Sequence, residues 1–352
     1  MHRREFAKLC AALATGLYGP GRLEAQDVES PEPSTGNMNA ILPTLGGKQF
    51  WADELFFHDW HIQRNVFTDH YRLLDGYNLR HAWGTFAECQ HKLEEIKRER
   101  SLPPMRGPGV IVLHGLFRSA SSMNKLSRYL AKVGGYTVFN VNYPTTRGTV
   151  SDHALSLASI VQHLEGIDQI DFVGHSLGNL VVRHYLADHT RPGQGLQPDP
   201  RIHRIVMLGP PNRGAELAEA LGNLGLFHTV AGKSGSQLAG EWARLEANLA
   251  TPHCEFGILA GGRGNEQGYN PLLTGDNDMV VSVETTRLPG AADFAVLPVM
   301  HTFMMDDEKV QEYTLRFLQN GYFVSPESRS PIGPIAEESP LARRPGAARP
   351  AR

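Results

Sequence analysis

Ile170-Asp171-Phe172-Val173-Gly174-His175-Ser176-Leu177-Gly178-Asn179-Leu180-Val181 is the stretch on which the reading of this chain turns. Residues 170–173 form a short apolar run of the kind expected in a strand buried on both faces. From Leu177 the period changes, and Leu177, Leu180, Val181 and Tyr185 share one face of a helix. Between the two lies Gly174-His175-Ser176-Leu177-Gly178, a G-x-S-x-G pentapeptide at a strand-to-helix turn. Such a turn holds its central serine in a strained backbone conformation with the hydroxyl exposed. Side chains at 174 and 178 would collide with neighbouring backbone, so both positions call for glycine.

The same alternation continues on both sides. Apolar runs at 110–113, 137–141, 205–208, 256–259 and 294–297 read as further strands. Helices are marked by Met123, Leu126, Leu130 and Val133, by Ala154, Leu157, Ala158, Val161 and Leu164, and by Val310, Tyr313, Thr314, Phe317 and Leu318. Strands alternating with helices imply an α/β fold, a mostly parallel doubly wound sheet with helices on both faces. Residues 213–252 break the rhythm and read as a helical insert, either a cap over the site or an extended packing element. Upstream, residues 60–66 alternate as a strand does. Phe86, Cys89, Leu93 and Ile96 recur at helical spacing before Pro103 and Pro104 stop the run.

Length and composition set the outer bounds. The 352 residues, 41% of them hydrophobic, suit one large domain over 48–322, with its core motifs in 109–320. A net charge of −3 carries no footprint for a nucleic-acid partner. Three cysteines without a C-x-x-C pair exclude zinc ribbons and thioredoxin-type chemistry. Cys89 and Cys254 read either as buried free thiols or, in an exported protein, as a disulfide. Residues 1–25, opening His2-Arg3-Arg4-Glu5-Phe6, resemble a twin-arginine export signal, with periplasmic or extracellular delivery. The alternative is a disordered basic start on a cytoplasmic protein. Residues 26–47 read as a flexible linker and 323–352 as a disordered tail. No segment is long and apolar enough for a transmembrane span.

A serine hydroxyl needs a base to take its proton. His301 follows the strand at 294–297 and precedes the last helix, which puts it at the carboxyl edge of the sheet, where reacting groups gather. His153, His184 and His189 fall at helical positions typical of surface histidines, His203 and His253 begin strands, and His228 in the insert is the one rival. The acid that orients the base is expected between serine and histidine, and Gly275-Asp276-Asn277-Asp278 offers Asp278, with Asp276 as the alternative. Backbone N–H donors for a developing oxyanion are expected at Leu177 and at Leu116, beside Gly115 in the loop after residues 110–113.

Taken in order, His114-Gly115-Leu116, Gly174-His175-Ser176-Leu177-Gly178, Asn277-Asp278 and His301 resemble a bacterial lipase or esterase of the α/β-hydrolase superfamily. Gly209-Pro210-Pro211-Asn212-Arg213-Gly214 is similar to the Pro-Asn-x-Gly turn of lipase-like members. The resemblance implies the α/β-hydrolase fold, with nucleophile Ser176, base His301, acid Asp278 and oxyanion donors Leu116 and Leu177. It also implies cleavage of small-molecule or lipid carboxylic esters through an acyl-serine intermediate, with no metal or organic cofactor. Met279 departs from the pattern, since bacterial lipases often carry glycine after the Asn-Asp pair. Amidase, thioesterase or acyltransferase chemistry uses the same groups, and a silent hydrolase fold serving as a binding module is the reading from another class. Leu221, Leu224, Leu226 and Phe227 read as an acyl-binding lid or as a packed helix pair.

Overall fold

Six parallel strands form the centre of the computed structural model, which describes residues 42–43, 49–190, 197–214 and 232–333. They are β6 (Gly107–Leu113), β7 (Thr137–Val141), β8 (Ile167–His175), β9 (Ile202–Leu208), β10 (Glu255–Gly261) and β11 (Asp293–Leu297). Their spatial order is β11-β10-β9-β8-β6-β7. The serine-bearing strand β8 is therefore central, paired with β6 on one side and β9 on the other.

Alternation along each strand decides which helices cover which face. Val110, Val112, Val173, Val206, Leu208 and Leu259 point to one side. They pack there against Leu126 and Leu130 of α2 (Asn124–Lys132) and Val310, Phe317 and Leu318 of α8 (Glu308–Asn320). Ile111, Leu113, Phe139, Phe172, Ile205 and Met207 point to the other. They meet α3 (Val150–Gln162) and α4 (Leu177–Thr190), with Leu157, Ile160, Leu180, Val181 and Tyr185 at the contact. Thr149 starts α3 through a capping box with Asp152, satisfying two helix-end donors. Val133, expected on the buried face of α2, caps its end and is exposed.

The upstream segment builds a second sheet. Strands β1 (Leu42–Pro43), β2 (Trp51–Phe57), β3 (Trp60–Asn65), β4 (Tyr71–Leu74) and β5 (Leu79–Gly84) pair antiparallel in the order β1-β5-β4-β3-β2. Helix α1 (Phe86–Glu99) packs Cys89, Leu93 and Ile96 beside Ile62, Leu73 and Ala82, in the same apolar core as the face of the parallel sheet that carries Ile111 and Phe172. The strand and helix read from the sequence in this region are present; β2, β4 and β5 were not legible there. Cys89 and Cys254 are separate free thiols, and burial raises each to about 12.

Two boundaries read from composition shift. Leu42 and Pro43, within the expected linker, add a two-residue strand to β5, too short to leave a periodic trace. Residues 323–333, within the expected disordered tail, are held against the domain. Phe323 is fully buried against Phe317, its N–H donates to Asp293 Oδ2 at 2.8 Å, and Ile332 exchanges backbone hydrogen bonds with Gly290 and Ala291. Proline and serine content hid this docking, because it depends on one aromatic side chain and one aspartate. The expected signal segment, most of the linker, and residues 334–352 lie outside the described residues. So do His228, Leu221, Leu224, Leu226 and Phe227. Of the expected insert, α5 (Gly232–Gly240) and α6 (Trp242–Glu246) are described. Among the described residues no helix is long and apolar enough to cross a membrane.

Removing the Phe323 ring should leave a cavity over α8. We expect Phe323→Ala to lower stability by about 3–5 kcal/mol, read from urea denaturation. A tail that merely lies on the surface would show no change.

Candidate active site

Between β8 and α4 the chain turns at Ser176, which has φ +53°. A non-glycine residue pays for this left-handed conformation, and it persists where surrounding contacts over-determine it. Here Ser176 N donates to Leu208 O at 2.9 Å, and Asn179 N and Nδ2 both donate to Ser176 O at 3.1 Å. The flanking glycines are forced by space. A Cβ on Gly174 would sit 2.4 Å from Asn179 Oδ1, and one on Gly178 would sit 2.7 Å from Leu113 O. Asn179 is fully buried and also reaches Leu208 O, so it ties the turn to β9. The pentapeptide rule does not include this residue.

His301 and Asp278 meet at the same edge of the sheet. His301 begins a 3₁₀ turn after β11, and Asp278 lies in the loop between β10 and α7 (Val283–Thr286). His301 Nδ1 and Asp278 Oδ2 are 2.6 Å apart, and both side chains are buried. The carboxylate only accepts, so Nδ1 carries the proton of this hydrogen bond. The second carboxylate oxygen, Oδ1, accepts from Val280 N and Val281 N at 3.0 and 2.8 Å. His301 N donates to Asp278 O at 2.9 Å, so backbone and side chain are fixed together. Asn277 holds the loop through bonds to Asn270, Gly275 and Met279, and Met279 sits at φ +94°. The position where lipase-like chains often carry glycine is thus one where the backbone is left-handed. Asp276, the alternative acid, instead accepts from Arg263 N and Gly264 N at 2.7 and 2.8 Å and tightens its own loop.

His175 and Gly209 link the segment that carries Ser176 to His301. His175 Nε2 donates to His301 O at 3.0 Å, and the two rings are 4.7 Å apart. Gly209 follows the residue whose carbonyl receives Ser176 N, and a Cβ on it would lie 3.0 Å from His301 Nδ1 and 3.2 Å from Asp278 Oδ2. Among the described residues no hydrogen bond joins Ser176 Oγ to His301. Such contacts are often long without substrate and tighten when it binds.

The loop after β6 completes the edge. A Cβ on Gly115 would stand 3.1 Å from Ser176 Cβ, so the loop backbone lies against the serine. Phe117 N donates to Thr145 Oγ1 at 3.1 Å and Arg118 N to Gly115 O at 3.2 Å. Leu116 N and Leu177 N, the expected oxyanion donors, have no protein acceptor among the described residues. His114 is fully buried, stacked on Tyr143 at 4.2 Å between centroids, with Nδ1 donating to Gly115 O at 3.0 Å. Burial holds His114 down to about 4 and His175 well below the ordinary imidazole value, so both rings are neutral near pH 7. His153 and His184, expected at the surface, are buried too, and burial takes His153 down to about 3.

The turn after β9 has a support that pattern matching overlooks. Asn212 Nδ2 donates to Thr286 O at 2.8 Å, and buried Arg183 of α4 donates to Asn212 Oδ1 at 3.1 Å. The 209–214 turn is thereby locked to the helix that starts at the serine.

A strained serine between a central parallel strand and a helix, facing a histidine–carboxylate pair at the strands' carboxyl ends, is the site architecture of the α/β hydrolases. The model of the alpha/beta hydrolase family matches residues 110–341, and the chain belongs to that family. No curated protein matches the chain. Similar solved structures include the product of the gene lin2722 of Listeria innocua (17% identity, 61% of this chain and 94% of that one, TM-score 0.42). Another is Est1E of Butyrivibrio proteoclasticus with ferulic acid bound (15% identity, 63% and 93%, TM-score 0.41). A third is the esterase Pf2001 of Pyrococcus furiosus (14% identity, 81% and 100%, TM-score 0.42). The antiparallel sheet of residues 42–84 precedes the matched region.

Two measurements probe this packing. The folded-state values of His114, His153 and His175 lie below the unfolded value near 6.5, so the unfolded chain binds more protons as pH falls. Stability is therefore complete above about pH 6.5 and should decline steadily from there towards about pH 4, seen as a falling urea midpoint. A midpoint unchanged over that window would contradict neutral burial of the three rings. Gly209→Ala combines a Cβ clash on the His301–Asp278 pair with φ +52°. It should cost about 1–3 kcal/mol in the same assay.

Proposed function

We propose that the chain is a serine hydrolase that cleaves carboxylic esters through an acyl-Ser176 intermediate. The observation that carries this reading is the 2.6 Å contact between His301 Nδ1 and Asp278 Oδ2, at the sheet edge where Ser176 holds φ +53°. In this mechanism Ser176 Oγ attacks the ester carbonyl carbon while His301 Nε2 takes its proton. The imidazolium so formed is stabilised by Asp278, which stays ionised. The N–H groups of Leu116 and Leu177 receive the negative charge on the former carbonyl oxygen, and each such donor contributes about 3 kcal/mol. The tetrahedral intermediate collapses as His301 returns the proton to the departing alcohol. Water, deprotonated by His301, then attacks the acyl carbon and restores the serine.

Several features support the assignment of roles. Asp278 has both oxygens bonded and is closed off from solvent, which fixes the tautomer of His301. Asp276 is committed to its own loop, which favours Asp278 as the acid. Water rather than a second alcohol or thiol is taken as the acyl acceptor, in keeping with membership of a hydrolase family.

A fluorophosphonate probe should label the protein at Ser176, and Ser176→Ala should abolish labelling and lower kcat by at least about 10⁴-fold on p-nitrophenyl esters. Asp278→Asn should lower kcat by about 10⁴-fold with little change in KM. A chain-length series of those esters, run beside an emulsified triglyceride, separates small-ester from lipid preference. Undiminished turnover by Ser176→Ala would rule the mechanism out.

A further inference from the structure

We propose that Asp53, in the antiparallel sheet outside the family-matched region, is a positioning residue for the oxyanion-binding loop. The proposal rests on the serine-hydrolase reading above. Strand β7 is the edge of the parallel sheet, and its pairing with β6 ends at Val141. The chain that leaves it is caught by β2. Asp53 N donates to Asn142 O at 2.9 Å, Asn142 N donates to Asp53 Oδ2 at 2.7 Å, and Asn142 Nδ2 donates to Trp51 O at 2.9 Å.

The residues that follow Asn142 hold the loop. Tyr143 Oη donates to His114 O, its ring stacks on the His114 imidazole, and Thr145 Oγ1 accepts from Phe117 N. Gln49, also upstream of the family-matched region, donates to Arg118 O at 2.9 Å and accepts from Thr146 Oγ1 at 3.2 Å. Tyr143 directly follows the anchor, and Pro144, between Tyr143 and Thr145, fixes its own φ, so little slack separates them. Leu116, whose N–H is the proposed donor, lies between His114 and Phe117, both clamped by this segment. A donor works only if it is held where the charge develops, and a misplacement of about 1 Å costs on the order of 10²-fold.

A carboxylate is required at 53 because two acceptors are needed at once. Oδ1 accepts from Gln63 Nε2 at 2.7 Å while Oδ2 accepts from Asn142 N. An amide offers one acceptor and turns its NH₂ towards a donor. Burial raises the Asp53 pKa, a desolvation cost that the bonds to Gln63 and Asn142 offset in part. Asp53 also borders a cavity of about 330 Å³, shared with His61, Gln63 and Arg72. Water can enter there when the carboxylate is removed, so truncation is compatible with folding.

The test compares Asp53→Asn and Asp53→Ala with the unaltered enzyme, taking kcat per active site titrated with fluorophosphonate. We expect kcat per titrated site to fall on the order of 10- to 100-fold, with KM within about threefold and the pH dependence of kcat unmoved. Those last two readouts separate lost oxyanion stabilisation from damage to substrate binding or to His301. Should both variants fail to fold, Thr145→Val, which removes the acceptor of Phe117 N, must give the same signature. Normal labelling with kcat per site within twofold of the unaltered enzyme overturns the positioning role. Failure of the unaltered enzyme to label overturns the serine reading and this proposal with it.

Discussion

The carboxyl edge of the parallel sheet is crowded to the limit of backbone contact, and the rest of the site depends on that crowding. Strand β8 reverses into α4 through a left-handed serine, a conformation that a free chain would leave at once. It is retained because Leu208 O and the Asn179 side chain satisfy both sides of the turn, and because Leu113 O fills the space a side chain at 178 would need. Three loops then converge within van der Waals distance. Gly115 lies against the Ser176 side chain, Gly209 against the His301–Asp278 pair, and His175 bridges to His301 by its ring nitrogen.

Rigidity around the charged member follows from the same packing. A buried carboxylate is costly unless its oxygens are bonded, and Asp278 meets that requirement with two backbone donors and the imidazole. Its loop is stiffened by Asn277, which bonds on both sides of its amide, and by the left-handed Met279. The neighbouring rings of His114 and His175 are kept neutral by burial, so neither adds a positive charge beside the imidazolium proposed to form at His301.

The antiparallel sheet extends the logic beyond the catalytic layer. Its apolar face joins the same core as α3 and α4, while Trp51 and Asp53 hydrogen-bond Asn142, the residue that follows edge strand β7. The residues that follow Asn142 then reach the loop beside the serine, Tyr143 through His114 O and Thr145 through Phe117 N.

Sequence alone determined the parallel strands, the amphipathic helices and the serine turn, because each is written in local periodicity or in a glycine pattern with one steric cause. It also ranked Asp278 and His301 by their order along the chain and their position at strand ends. What only the tertiary structure decided is how groups far apart in sequence meet. The Asp278–His301 contact, the Asn179 and Arg183 ties, the docking of Phe323, and the junction of Asp53 with Asn142 are of this kind. The burial of His153 and His184, which spacing alone marked as surface positions, is another case. Strands β2 and β4 stayed hidden for the same reason: they carry Asp53 and Arg72, buried polar residues whose shared partner, Gln63, lies on β3. Their alternation is invisible until the strands that satisfy them are in register.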